Sequence, residues 1–83
     1  MKKSRKPLNI IGPTLRELRE KKGLTQEQLV AKFNRQGWDL SRVSFAKIES
    51  QIRCVADFEI LKLALGLGVD APELLRRAAR GQK

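Results

Sequence analysis

The chain has 83 residues, 18 Lys plus Arg, 9 Asp plus Glu and no His, for a net charge of +9. This length suits one domain with a small core, and without His there is no imidazole base, Ser-His-Asp triad or His metal ligand. The single Cys, Cys54, excludes an internal disulfide framework or a multi-Cys zinc site. A lone thiol suits a reducing compartment.

Hydrophobic residues make up 41% of the sequence, enough for a folded domain rather than a disordered one. The longest nearly apolar run, Leu63 to Val69, is broken by Gly66 and Gly68 and falls far short of the roughly 20 residues of a membrane helix. The expectation is a soluble, cytoplasmic protein with no membrane partner. The charge is uneven: Lys2, Lys3, Arg5 and Lys6 give +4 in residues 1–10, and residues 71–83 give +3. A basic tail attracts any polyanion, so the middle of the chain must choose among them.

In chain order, the spacing predicts five helices and no strand. Helix one is expected over Pro13–Lys22, with Ile11, Leu15 and Leu18 on one face and Gly23 as a left-handed cap. Helix two begins at Thr25, where Thr25 and Gln28 read as a capping box and Leu24 and Leu29 as a hydrophobic staple. Leu29, Val30 and Phe33 form its inner face, and Gly37 is a plausible stop. Helix three begins at Ser41 as N-cap, with Leu40 and Phe45 as its staple. It runs to about Ser50, with Phe45, Ile48 and Ile52 expected inside. Helix four is expected over Asp57–Leu65, with Ile60, Leu61, Ala64 and Leu67 in the core and a poorly marked start at Ala56. Helix five begins at Asp70, read as a capping box with Glu73, with Val69 and Leu74 as staple.

On helix three, Arg42, Val43, Ala46 and Lys47 cluster opposite Phe45 and Ile48. Two cations, a small residue and a valine, with no acid, suit a face that enters a major groove. Arg or Lys can read guanine O6 and N7, and an aliphatic group can meet a thymine methyl. The alternative is an ordinary solvated face. No Gly-rich phosphate loop, metal-ligand cluster or paired carboxylates are present, so neither an enzyme nor a cofactor is expected.

The stretch Arg19–Leu29 (REKKGLTQEQL) followed by Leu40–Glu49 (LSRVSFAKIE) resembles the Cro/repressor-type, Xre-like helix-turn-helix family. Ile11-Gly12, Leu61-x-x-Ala64-Leu65-Gly66 and Val69-x-x-x-Glu73-Leu74-Leu75 extend the resemblance over roughly residues 10–76. It implies an all-α, five-helix, lambda-repressor-like domain (residues 11–76) between a basic N-terminal arm (1–10) and a basic C-terminal tail (77–83). The implied function is sequence-specific binding of double-stranded DNA by a transcriptional regulator, with the recognition helix over residues 42–50. A homodimer on half-sites about 34 Å apart is the corresponding family expectation.

The resemblance also implies residue roles. Arg42, Val43 and Lys47 read bases. Gln26, Ser41, Ser44, Ser50 and Gln51 meet phosphate, with Arg53 assisting. Arg19 and Glu49 form a structural pair tying helix one to helix three. From their own charge rather than from the resemblance, Lys2, Lys3, Arg5 and Lys6 read as an arm on DNA, the alternative being a solubility tail. One departure is the connection between helices two and three, five residues longer than the usual tight turn, in which Trp38 is expected to pack back on the core. Two rival functions are an antitoxin-type module with a toxin-like partner and a general RNA-binding basic protein.

Overall fold

A computed structural model describes residues 6–81. It holds five helices: α1 (Gly12–Lys21), α2 (Gln26–Arg35), α3 (Arg42–Glu49), α4 (Asp57–Leu67) and α5 (Ala71–Arg80). No strand occurs among the described residues.

Local chemistry sets most of the helix ends. Thr25 Oγ1 accepts the Gln28 N–H at 3.1 Å and Gln28 Oε1 accepts the Thr25 N–H at 2.8 Å, so both halves of the capping box close. Ser41 Oγ accepts the Ser44 N–H at 3.0 Å and starts α3. At α4, Ala56 has no capping oxygen, but Glu59 Oε1 accepts the Ala56 N–H at 3.0 Å. Gly37, at φ +95°, reverses the chain after α2 where an L side chain would be strained. Asn34 Nδ2 then donates to the carbonyls of Trp38 and Leu40, which holds the lengthened turn in one shape.

The core lies between all five helices. Leu15, Leu29, Phe33, Phe45, Ile48, Leu63, Leu67 and Leu74 are fully buried. Phe33 is central to it, with ring centroids 5.2 Å from Trp38 and 5.7 Å from Phe45, both tilted as aromatic quadrupoles prefer. Trp38 lies half-buried against this cluster.

Several sequence expectations are corrected. Ile52 is exposed, because α3 ends at Glu49 and Gln51 takes φ +67°, which breaks the helical register. Leu61 is 63% exposed while Leu63 is fully buried. α4 packs against both α2 and α5, so its inner stripe is Leu63, Ala64 and Leu67, with Ile60 at its margin. α4 also runs two residues past Leu65, ending at Gly68 in the left-handed conformation. Asp70 makes no side-chain cap. Glu73 instead binds Arg76 at 3.0 Å and Arg77 at 2.8 Å, since two charge-assisted bonds outweigh one to a neutral N–H.

The ends of the domain also shift. Leu8 N–H donates to the Gln51 carbonyl, and Asn9 Nδ2 donates to the carbonyls of Ile48 and Arg53, so these residues dock on the fold rather than belonging to an arm. At the other end, α5 continues to Arg80 and buries Ala78.

Candidate nucleic-acid interface

The site is built on α3. Phe45 and Ile48 are fully buried and anchor one side of the helix. The opposite side then faces outward: Arg42, Val43 and Lys47 are exposed and Ala46 is half-buried. Val43 is 55% exposed.

The far end of α3 is clamped. Arg19 Nε donates to Glu49 Oε2 at 2.7 Å and Nη2 to Oε1 at 3.1 Å, and Nη1 reaches the Leu24 carbonyl at 2.8 Å. Both residues are buried. The hydrogen bonds to Glu49 raise the Arg19 pKa against the opposing effect of burial. The start of α1 is clamped to the same place. Asn9 Oδ1 accepts the Gly12 N–H at 2.8 Å, and Gln51 Nε2 donates to the Asn9 carbonyl at 2.8 Å. A Cβ on Gly12 would lie 2.6 Å from the carbonyls of both Ile48 and Glu49, so only glycine permits this approach.

A polar chain leads outward from the buried pair. Gln26 Nε2 donates to Glu49 Oε1 at 2.8 Å, which turns Gln26 Oε1 toward Arg42 Nη1, 3.4 Å away. Arg42 Nε also lies 4.0 Å from Glu27 Oε2. The exposed guanidinium at the start of α3 is thus held loosely in place by the start of α2.

The structure separates the residues expected to meet phosphate. Ser41 and Ser44 sit together at the α3 N-terminus through their capping bond. Ser50 Oγ donates back to the carbonyls of Ala46 and Lys47, and the side-chain amides of Gln26 and Gln51 donate within the protein. The Arg53 guanidinium binds Glu59 at 3.0 and 3.2 Å and the Cys54 carbonyl at 3.0 Å. The pairing raises the Arg53 pKa and lowers that of Glu59, the mutual hydrogen bonds being the main cause in each. Arg53, expected to assist at phosphate, has a protein partner here, because folding α4 brings Glu59 to it. Lys6 is exposed; Lys2, Lys3 and Arg5 lie outside the described residues.

Sequence reasoning missed Asn9 and Glu59. Asn9 had a local signal, an Asn three residues before Gly12 at a helix start. Glu59 had one for its bond to Ala56, but none for Arg53, six residues away. Among the described residues, no group of three or more His, Cys, Asp or Glu could hold a metal ion, and no helix is long and apolar enough to cross a membrane.

Comparison with known proteins agrees with this geometry. Residues 15–74 match the family model described as helix-turn-helix. Among solved structures, the chain is similar to the restriction-modification controller protein C.AhdI from Aeromonas hydrophila, with 39% identity and a TM-score of 0.69 over 81% of this chain and 94% of that one. No curated protein gives a significant match. A family match across α1 to α4 and into α5, joined to an outward-facing cationic α3, makes this chain a member of the Xre/Cro-type helix-turn-helix family, a DNA-binding regulatory protein rather than an enzyme.

Proposed function

We propose that the protein is a sequence-specific transcriptional regulator that lays α3 in the major groove and reads bases with Arg42, Val43 and Lys47. The observation that carries this reading is the outer face of α3, where two cations and an apolar side chain stand exposed around the small Ala46. Arg42 and Lys47 suit guanine edges and Val43 suits a thymine methyl. Ser41 and Ser44, at the N-terminus of the same helix, are placed to meet flanking phosphate. The similarity to a restriction-modification controller protein supports a controller role of the same kind. We place the protein in the cytoplasm, with its DNA.

Two copies bind paired half-sites about 34 Å apart. The outer stripe of α4 supports self-association: Phe58, Leu61 and Leu65 are 60–64% exposed, and their spacing puts them on one side of the helix. Such a stripe on a small charged domain marks an interaction surface, and a second copy covers it without requiring a further protein.

Selection of bound fragments from random duplex DNA at fixed salt tests the reading. The expected result is a palindromic consensus, and a pool with no enriched sequence overturns it. Leu61→Glu should shift the sedimentation coefficient toward the monomer; an unchanged coefficient overturns the α4 interface alone.

A further inference from the structure

The lengthened connection between α2 and α3, the end of α2 and one side of α4 wall a mainly apolar cleft of about 50 Å³, lined by Phe33, Gln36, Gly37, Trp38, Lys62 and Leu65. It fits the edge of one side chain rather than a small-molecule ligand, whose sites run to roughly 300–1,000 Å³. Leu65 belongs both to this cleft and to the exposed stripe of α4, so the two surfaces are continuous. Lys62 marks the seam. Its ammonium lies 5.6 Å from the Trp38 ring centroid and 5.8 Å from that of Phe58, within cation–π range of both. One face thus carries an exposed ring and, two turns further along α4, an open cleft.

Charge favours a like copy over a polyanion on this face. α4 carries two acids, Asp57 and Glu59, against one base, Lys62, whereas each of the other four helices is net positive. Two chains of net charge +9 repel each other least where that charge is thinnest, and nucleic acid is least attracted there.

We propose that the cleft receives Phe58 of a second copy, so that the lengthened turn is part of the dimer interface. A two-fold contact must be self-complementary. With two α4 helices crossed antiparallel and Leu61 at the axis, Phe58, three residues before it, falls opposite Ala64 and Leu65, three and four residues after it. Phe58 and Lys62 lie on the same flank of the stripe, four residues apart, and this symmetry keeps each flank on its own side. Each Phe58 therefore meets the other copy's cleft. A parallel crossing would set the two Phe58 rings against each other and leave both clefts empty. Trp38 stands three residues before the Ser41 cap of α3, so association also braces the entry to the recognition helix.

This inference rests on the α4 dimer reading, and the test separates the two. Trp38 is the sole tryptophan, so its emission reports on the cleft. Full-length wild type is diluted without DNA while sedimentation and Trp38 emission are followed together. The emission should move to longer wavelength as the dimer dissociates, because the ring gains water. Phe58→Ala should weaken association roughly ten- to a hundredfold, and Phe58→Leu should recover part of the loss. Leu75→Ala, at an exposed position on α5, should leave association unchanged. Emission that stays constant through dissociation overturns the cleft contact, as does a Phe58→Ala chain that associates like wild type; if Leu61→Glu still gives the monomer, the α4 dimer stands without it. Weakening by Leu75→Ala equal to that by Phe58→Ala overturns the contact as well. A wild type that is monomeric at every concentration overturns both readings.

Discussion

The buried and the exposed charges of α3 carry related chemistry under opposite conditions. At its C-terminal end, Glu49 is buried and bound by Arg19 and Gln26. On the outer side, Arg42 and Lys47 stand exposed, and the nearest partners of Arg42 lie 3.4 and 4.0 Å away. A charge that is desolvated must be satisfied by the protein itself. A charge left in water keeps its donors for a ligand. The same helix therefore serves as a fixed strut at its buried charge and an open reading head at its exposed ones, and the strut is what gives the head a defined position.

The sharpest way to break this contrast is at the buried charge. Glu49→Ala strands Arg19 and should cost about 3–5 kcal/mol in chemical or thermal unfolding. It also frees Gln26, so any folded fraction should lose sequence discrimination together with stability. A loss below about 1 kcal/mol would mean that the pair is solvated and that the contrast fails.

Substitution on the outer side should do the reverse. Arg42→Ala and Lys47→Ala should leave the melting temperature nearly unchanged and cost about 1–3 kcal/mol of binding each, at different base pairs of the site. Equal weakening on every duplex would remove direct readout by α3.

The smallest effect concerns Arg53 and Glu59, a pair between these extremes with side chains 30% and 13% exposed. The Arg53 guanidinium holds the Glu59 carboxyl below its ordinary value. A depressed folded pKa stabilises above the unfolded value of about 4.3 and loses that contribution as pH falls through the folded value. Glu59→Gln keeps an acceptor for the Ala56 N–H. It should therefore be less stable than wild type by no more than about 1 kcal/mol at pH 6, with the difference gone at pH 2. A difference that persists at pH 2 would assign the effect to packing instead.

The elements that could be read in the sequence share a feature: their signals lie within one or two helical turns. Thr25 with Gln28, Ser41 as N-cap and the spacing of Ile11, Leu15 and Leu18 place two helix starts and a buried face without knowledge of the rest of the chain. The failures are of two kinds. Asp70 offers a cap that Glu73 could complete, but two arginines one turn on take its carboxylate. Leu61 and Leu63 are equally apolar, and only the positions of α2 and α5 decide which of them is covered.

The candidate site divides in the same way. The outward set of Arg42, Val43 and Lys47 follows from α3 being a helix with Phe45 and Ile48 inside, so periodicity alone exposes it. Which other polar residues remain available does not follow. Arg53 and Arg16 look alike as isolated cations, yet one is spent on Glu59 and the other holds a weak surface pair with Glu20. The five helices, the basic balance and the cationic face are thus properties of local spacing and composition. The partners of each charge are set by approaches between segments distant in the chain, such as Asn9 to Ile48 and Arg19 to Glu49. Burial and hydrogen-bond geometry, which decide whether a charge is structure or interface, exist only once those segments have met.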